Sequence, residues 1–344
     1  MSGSGQDHRG GSSRGGVPLS IGLVNNASDS ELRATEVQFL RMLRAASRGF
    51  DLSFRLFNCP VVPRSAAALD ASGKPYADIE ELFDTPLDAL VVTGMEPSGR
   101  TLLSEPIWDD ITRLVDWAGE HSVPVIWSCL AAHAAVLYLD GLDRSLLPKK
   151  LSGVFACNLV QTDHLLATGL PARWANPHSR LYDVSRAGLL ANGYQILSHS
   201  DEAGVDVFLK EQCAPFLFFQ GHPEYAADTL LSLYRRDVNR FLVGDSNDFP
   251  SAPRNYFDPA TEAALAAAGD RARQTKRGRR DIEAISSLIP AAVTRNLWEQ
   301  SAVTLCANWL TLVARSERRT RRRGIVSARP VWSRNVTGGA SLIQ

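Results

Sequence analysis

The segment PVIWSCLAAHAA (residues 124–135) runs four apolar residues and a serine into Cys129, and small residues follow. A strand that stops abruptly at a cysteine and passes into a helix describes an elbow. The nucleophile is held in a tight strand-to-helix turn, and the helix presents its N-terminus to it. Unpaired N–H groups and the partial positive charge at that helix end favour a thiolate and stabilise an oxyanion. Ala131, Ala132, Ala134 and Ala135 leave room for close backbone approach. Read alone, the segment fits a buried packing cysteine equally well, because free Cys is among the most buried residue types.

Outward from this elbow the chain alternates between two periodicities. LSIGLVNN is a buried strand, and SDSELRATEVQFLRMLRAAS keeps helical period, with Ser28 and Glu31 at capping-box spacing. DLSFRLFNCP is a second strand, Tyr76 to Phe83 a short helix, LDALVVTG a buried strand and IWDDITRLVDWAGEH an amphipathic helix leading into the elbow strand. This order predicts an α/β fold, a doubly wound and mostly parallel sheet covered on both faces. Between 151 and 220 the short apolar runs LSGVFACNLV, SRLYDV, YQILSHS, VDVFLK and APFLFFQ predict later strands of the same sheet with hairpin insertions. TLLSLYRRDVNRFLVGD predicts the last core helix. The expected organisation is a disordered N-terminus (1–17), a catalytic domain (18–246), a linker and helical extension (247–315) and a basic mobile tail (316–344). In the extension, Trp298, Cys306, Trp309, Leu310 and Val313 form one apolar stripe.

Bulk properties narrow the function. Formal net charge is zero over 344 residues, so no global field recruits nucleic acid or an acidic membrane. The basic run ERRTRRR (317–323) is read as a solvated tail, and no aromatic-basic interleaving supports nucleic-acid binding. The five cysteines, at 59, 129, 157, 213 and 306, are widely spaced and form no CxxC. That predicts neither a disulfide framework nor a metal site, and a reducing, cytoplasmic setting. The Gly-, Ser- and Arg-rich start is not a signal peptide, and no run reaches the ~18 apolar residues of a spanning helix. No phosphate-binding glycine loop appears, so no bound cofactor is expected.

A second motif completes the chemistry. In FFQGHPEYAADTL (218–230) an apolar run ends at Gly221, and His222, Pro223 and Glu224 follow. His and Glu two apart on an extended segment project to the same side. The carboxylate can then hold the imidazole in one tautomer while its other nitrogen faces a thiol.

With Cys, His and Glu in place, the chain resembles the homoserine O-acyltransferases of the succinyltransferase type, which have a class I glutamine amidotransferase-like fold. The motifs SCLAAHAA, LSGVF, PHSR, SDEAGVD and GHPEY, with IGLVNN and ATEVQFLRML before them, carry the resemblance over about 19–245. It implies acyl transfer from acyl-coenzyme A to the hydroxyl of L-homoserine, a step of methionine biosynthesis, by ping-pong chemistry. Cys129 is then the nucleophile, His222 the general base and Glu224 its orienting partner. Lys150 and Ser179 match substrate-pocket residues, and Arg236 matches an arginine that grips the amino-acid carboxylate. Leu130 and the loop at Gly94 are expected to supply oxyanion donors. The family also implies a homodimer.

Three departures from the family pattern bear on substrates. Leu130 and His133 replace the usual Trp and Gln after the nucleophile; the donor loop reads TGMEPS; and NNASDS lacks the usual Met-Pro. Ser98 stands at the position linked to donor choice. Its small, uncharged side chain favours a succinyl over an acetyl donor. Serine is the alternative acceptor. A glutamine amidotransferase-like hydrolase is the alternative activity, but Ser128 and Leu130 do not supply the glycines such elbows usually carry.

Overall fold

The computed structural model describes residues 16–72, 75–99, 101–211, 213–274, 285, 287–289 and 296–323. Strands β1 (Val17–Val24), β2 (Phe50–Asn58), β3 (Tyr76–Asp78), β4 (Ala89–Val92), β5 (Val125–Ser128) and β10 (Pro215–Phe219) are parallel neighbours in the order β3-β2-β1-β4-β5-β10. The sheet continues antiparallel through β9 (Gly204–Glu211), β8 (Gln195–Ser200), β6 (Ser145–Leu159) and β7 (Arg173–Asp183). The expected doubly wound α/β architecture is present, and the short runs of 151–220 form its antiparallel half.

Helices cover both faces. On one, α3 (Ile79–Phe83), α4 (Trp108–Glu120) and α5 (Leu130–Asp140) pack Ile79, Leu82, Ile111, Leu114 and the alanines of α5 against Val92, Val125 and Trp127. On the other, α1 (Asp29–Ala45) meets the last helix (Glu299–Arg323). Leu305, Cys306, Trp309, Leu310 and Val313 share one cluster with Phe39, Leu43, Ile21 and Phe219. The apolar stripe of the last helix is therefore core. Its role differs from the expected extension, because it covers strands β1 and β10 that α1 alone leaves open. That helix also runs through Arg323, so ERRTRRR lies on it, and only the tail beyond 323 lies outside the described residues. The expected disorder of 1–17 falls largely outside them too, except that Val17 already begins β1.

Three further local expectations change. Tyr76–Asp78 is a strand because it pairs with Leu56–Asn58; the helix starts only at Ile79, where Asp78 caps it by accepting from the Glu80 N–H at 2.9 Å. Ser28 is the N-cap residue of α1, but its side chain makes no capping bond, and the Glu31 carboxylate turns instead to Arg236. The linker after α7 (Thr229–Val243) is anchored: Arg254 bridges to Gly153 of β6, its N–H reaching Ser152 O and its O accepting from Val154 N–H, both at 2.9 Å. Gly153 has φ +151°, and a Cβ there would lie 2.4 Å from Arg254 O, so only glycine admits this contact. Phe249 packs into a cluster with Phe241 and Leu265, joining the linker to α7 and α8 (Pro259–Gln274).

Candidate active site

The carboxyl ends of the parallel strands meet at one cleft of about 1250 Å³. Ligand sites of open α/β sheets lie at these ends. β5 and β10 are paired neighbours with Ser128 opposite Phe219, so the residues that follow each strand emerge side by side. This register brings Cys129 and His222, far apart in sequence, to one point.

Cys129 stands between β5 and α5 with φ +55° and ψ −118°. A non-glycine residue here costs on the order of 1–3 kcal/mol and persists only where its surroundings enforce it. Its N–H donates to Phe219 O at 2.8 Å and its carbonyl accepts from His133 N–H at 3.2 Å, which fixes both sides of the elbow. Ala131, Ala132, Ala134 and Ala135 are buried and let α5 lie close against the sheet. His133 Nε2 lies 2.9 Å from Gln220 Oε1, which also accepts from Val184 N–H, so the ring is the donor. Burial drives its pKa down to about 3, keeping it neutral. His133 thus ties the elbow helix to the end of β10.

His222 Nδ1 donates to Glu224 Oε1 at 2.7 Å, and the imidazole stacks on Tyr225 with centroids 4.2 Å apart. Nε2 is buried, and the group that acts on it is the Cys129 thiol. Desolvation opposes charge on both His222 and Cys129, yet both shifts run the other way. Desolvation would raise the thiol; hydrogen bonding to His222, its positive charge and the Leu130 N–H outweigh that and lower it. Desolvation would lower the imidazole; the Glu224 charge and the bond to Cys129 raise it. Both shifts favour the thiolate–imidazolium form of the pair.

Beneath His222 lies a buried polar hub that the sequence did not disclose. Asp206 accepts from Asn176 Nδ2 at 2.6 Å and Ser198 Oγ at 2.7 Å, and His178 Nε2 lies 3.2 Å away. With Cys157, His178 and Asp206 form a grouping of metal-ligand type within 4.8 Å. The expectation of no such cluster is corrected to that extent. It was hidden because its members come from β6, β7 and β9, and the Asp206 oxygens are already taken by Asn176 and Ser198. A Cβ on Gly221 would fall 2.4 Å from both Asn176 Nδ2 and Asp206 Oδ1, so this hub sets the height of the His222 backbone.

The predicted substrate residues Lys150, Ser179 and Arg236 all line the cleft, as do Gly94 and Leu130. Lys150 Nζ donates to Asp237 at 2.5 Å; Arg236 reaches Asp237 at 3.1 Å and pairs with Glu31. Sequence reading did not place Glu31, Glu96 and Asp237 at this charged end, which their acidic side chains complete; Glu31 read as a cap, Glu96 as part of the donor loop, and Asp237 carried no signal. Gly94 lies against the elbow, where a Cβ would be 2.6 Å from Leu130 N. Ser98 is placed differently from the expectation. It is not among the cleft-lining residues, and its N–H and Oγ donate to buried Glu105 at 3.0 and 2.8 Å. Glu105 in turn accepts from Arg144 at 3.1 Å, so the space that Ser98 was expected to leave is structured by this pair.

The family model for homoserine O-succinyltransferase matches residues 7–319. The chain belongs to this family. It is 48% identical over 299 residues to a homoserine O-succinyltransferase of Rhodopseudomonas palustris, covering 86% of this chain and 88% of the relative. It is 42% identical to that of Methylorubrum extorquens, covering 86% and 87%. Among solved structures it is similar to a glutamine amidotransferase from Methylobacillus flagellatus, at 15% identity and a TM-score of 0.48, covering 86% of this chain and 95% of that one. The family match extends past residue 250, so the segment read as an added extension is part of the family's chain, in line with its place in the core. This is an acyltransferase family. No helix among the described residues is long and apolar enough to cross a membrane.

Proposed function

We propose that the protein is a homoserine O-succinyltransferase of methionine biosynthesis working by ping-pong chemistry through an acyl-cysteine. The observation that carries this reading is the strained Cys129 elbow facing the His222–Glu224 pair in a cleft whose other end is zwitterionic. The Cys129 thiolate attacks the thioester carbonyl of succinyl-coenzyme A. The Leu130 N–H and a donor from the Gly94 loop hold the tetrahedral oxyanion. The imidazolium of His222 protonates the departing coenzyme A sulfur. Neutral His222 then takes the proton of the homoserine hydroxyl, whose oxygen attacks the acyl-cysteine. The second tetrahedral intermediate collapses to O-succinylhomoserine and restores the thiolate and imidazolium.

The charged end of the cleft suits a zwitterionic acceptor. An amino acid exchanges internal pairs for equivalent ones: its carboxylate takes Arg236 and Lys150, and its ammonium takes Glu31 or Asp237. Such exchange limits the desolvation cost, because no buried charge is left alone. The acceptor is then selected by the reach of its hydroxyl to His222, which favours homoserine over the shorter serine.

The test is product formation from purified protein with L-homoserine and either succinyl- or acetyl-coenzyme A. O-Succinylhomoserine with stoichiometric coenzyme A thiol is expected. Faster turnover of acetyl-coenzyme A would reassign the donor, and glutamine hydrolysis without acyl transfer would replace the reaction class. Gly94→Ala checks the oxyanion site, since its methyl group would press on the Leu130 N–H. We expect kcat to fall roughly 10²-fold, the usual effect of losing one such donor. Coenzyme A binding, measured by calorimetry, should stay within about twofold, because binding does not use that donor.

A further inference from the structure

The turn that carries His222 and Glu224 is held from behind by a residue far along the chain. Trp298 lies just ahead of the last helix, whose start is capped by Asn296: its side-chain oxygen accepts from the N–H groups of Trp298 at 3.3 Å and Glu299 at 3.0 Å. The Trp298 indole is almost wholly buried against Val154 and Leu230. Its Nε1–H donates to the Tyr225 carbonyl at 2.8 Å. Tyr225 belongs to the catalytic turn, because its N–H donates to His222 O at 3.1 Å and its ring stacks on the imidazole at an interplanar angle of 11°. A rotation of the Tyr225 peptide would tilt the ring against which His222 rests.

We propose that Trp298 is a positioning residue for the acyl transfer: its indole N–H fixes the Tyr225 carbonyl and, through it, aims the His222 imidazole at Cys129. This rests on the reading of Cys129, His222 and Glu224 given above. It also assigns a task to the chain after residue 250. The last helix seats Trp298 rigidly, because the next turns bury Ala302, Leu305 and Cys306 in the core. Trp298 touches neither the cleft nor the reacting atoms, so its effect should appear in the chemical step and not in substrate affinity.

The last helix contains its own control. Trp309 is equally buried, but its Nε1 has no hydrogen-bond partner. Trp298→Phe and Trp309→Phe remove the same atoms from two buried positions in the full chain, and only the first breaks a hydrogen bond. For Trp298→Phe we expect kcat to fall roughly three- to tenfold, the worth of one hydrogen bond. KM for both substrates should stay within about twofold. The pH midpoint for alkylation of Cys129 by iodoacetamide should rise, as the imidazolium is aimed less well. Trp309→Phe should leave kcat and the midpoint unchanged. Equal behaviour of the two variants, or a raised KM with unchanged kcat in Trp298→Phe, overturns the proposal. Alkylation needs no acyl donor, so this arm decides the matter even if the donor or reaction assigned above is wrong. A third readout needs no variant. Alkylating Cys129 in the wild-type chain should shift the indole N–H resonance of Trp298 and not that of Trp309. An unmoved Trp298 resonance would also overturn the proposal.

Discussion

Cys129→Ala is expected to abolish acyl transfer, lowering kcat at least about 10³-fold, because removing a nucleophile leaves only binding and oxyanion stabilisation. With succinyl-coenzyme A and no acceptor, the wild-type chain should gain the mass of one succinyl group. The adduct should disappear on adding L-homoserine, and the variant should gain nothing. The fold should survive the change. Alanine and cysteine both carry a Cβ, so the cost of φ +55° is the same for each, and the bonds to Phe219 O and from His133 N–H use only backbone atoms. The thermal midpoint should therefore stay within a few degrees, as for substitutions that leave backbone and packing in place. A variant that folds yet still transfers succinate would move the nucleophile elsewhere. None of the other cysteines suits that role: Cys59, Cys157 and Cys306 are buried thiols pushed upward by desolvation, and Cys213 is exposed and is not a cleft residue.

The elbow was legible because its signal is local. A strand, a cysteine and a run of alanines need only neighbouring residues to be recognised, and the HPE turn is equally compact. The parallel half of the sheet was legible for the same reason, since strand and helix periods alternate there. What escaped the sequence depends on partners distant along the chain. Glu31 carries the spacing of a cap, but Arg236, brought close by α7, offers it a stronger partner than a backbone N–H. Tyr76–Asp78 has helical neighbours and becomes a strand only because β2 offers its edge. Ser98 reads as an open position until Glu105 is seen to occupy both of its donors. The Asp206 hub takes residues from strands that become neighbours only in the antiparallel half, so no spacing could announce it. The last helix looks like an appendage in one dimension and is core in three, because a sheet exposes two faces and α1 covers only part of one.

His222→Ala should move the alkylation midpoint of Cys129 upward, past the ordinary thiol value of about 8.5. The sign follows from the opposing influences on the sulfur. Desolvation is the largest and raises its pKa; the His222 bond and charge are the next and lower it. Without the imidazolium, the Leu130 N–H and the partial charge at the start of α5 face desolvation alone, and a helix terminus stabilises a charge by only about 0.3–2 kcal/mol. In the wild-type chain, alkylation should therefore persist to lower pH than that of an ordinary thiol. Glu224→Gln separates the two partners. The Glu224 charge is the strongest influence holding the His222 proton, and it acts weakly against the thiolate. Its loss should raise the alkylation midpoint less than His222→Ala does and bring the alkaline limb of the kcat profile down, because the imidazolium that protonates coenzyme A gives up its proton at lower pH. If His222→Ala left the midpoint in place, the helix end and Leu130 would be enough to ionise the cysteine. His222 would then act only as the proton carrier of the second half-reaction.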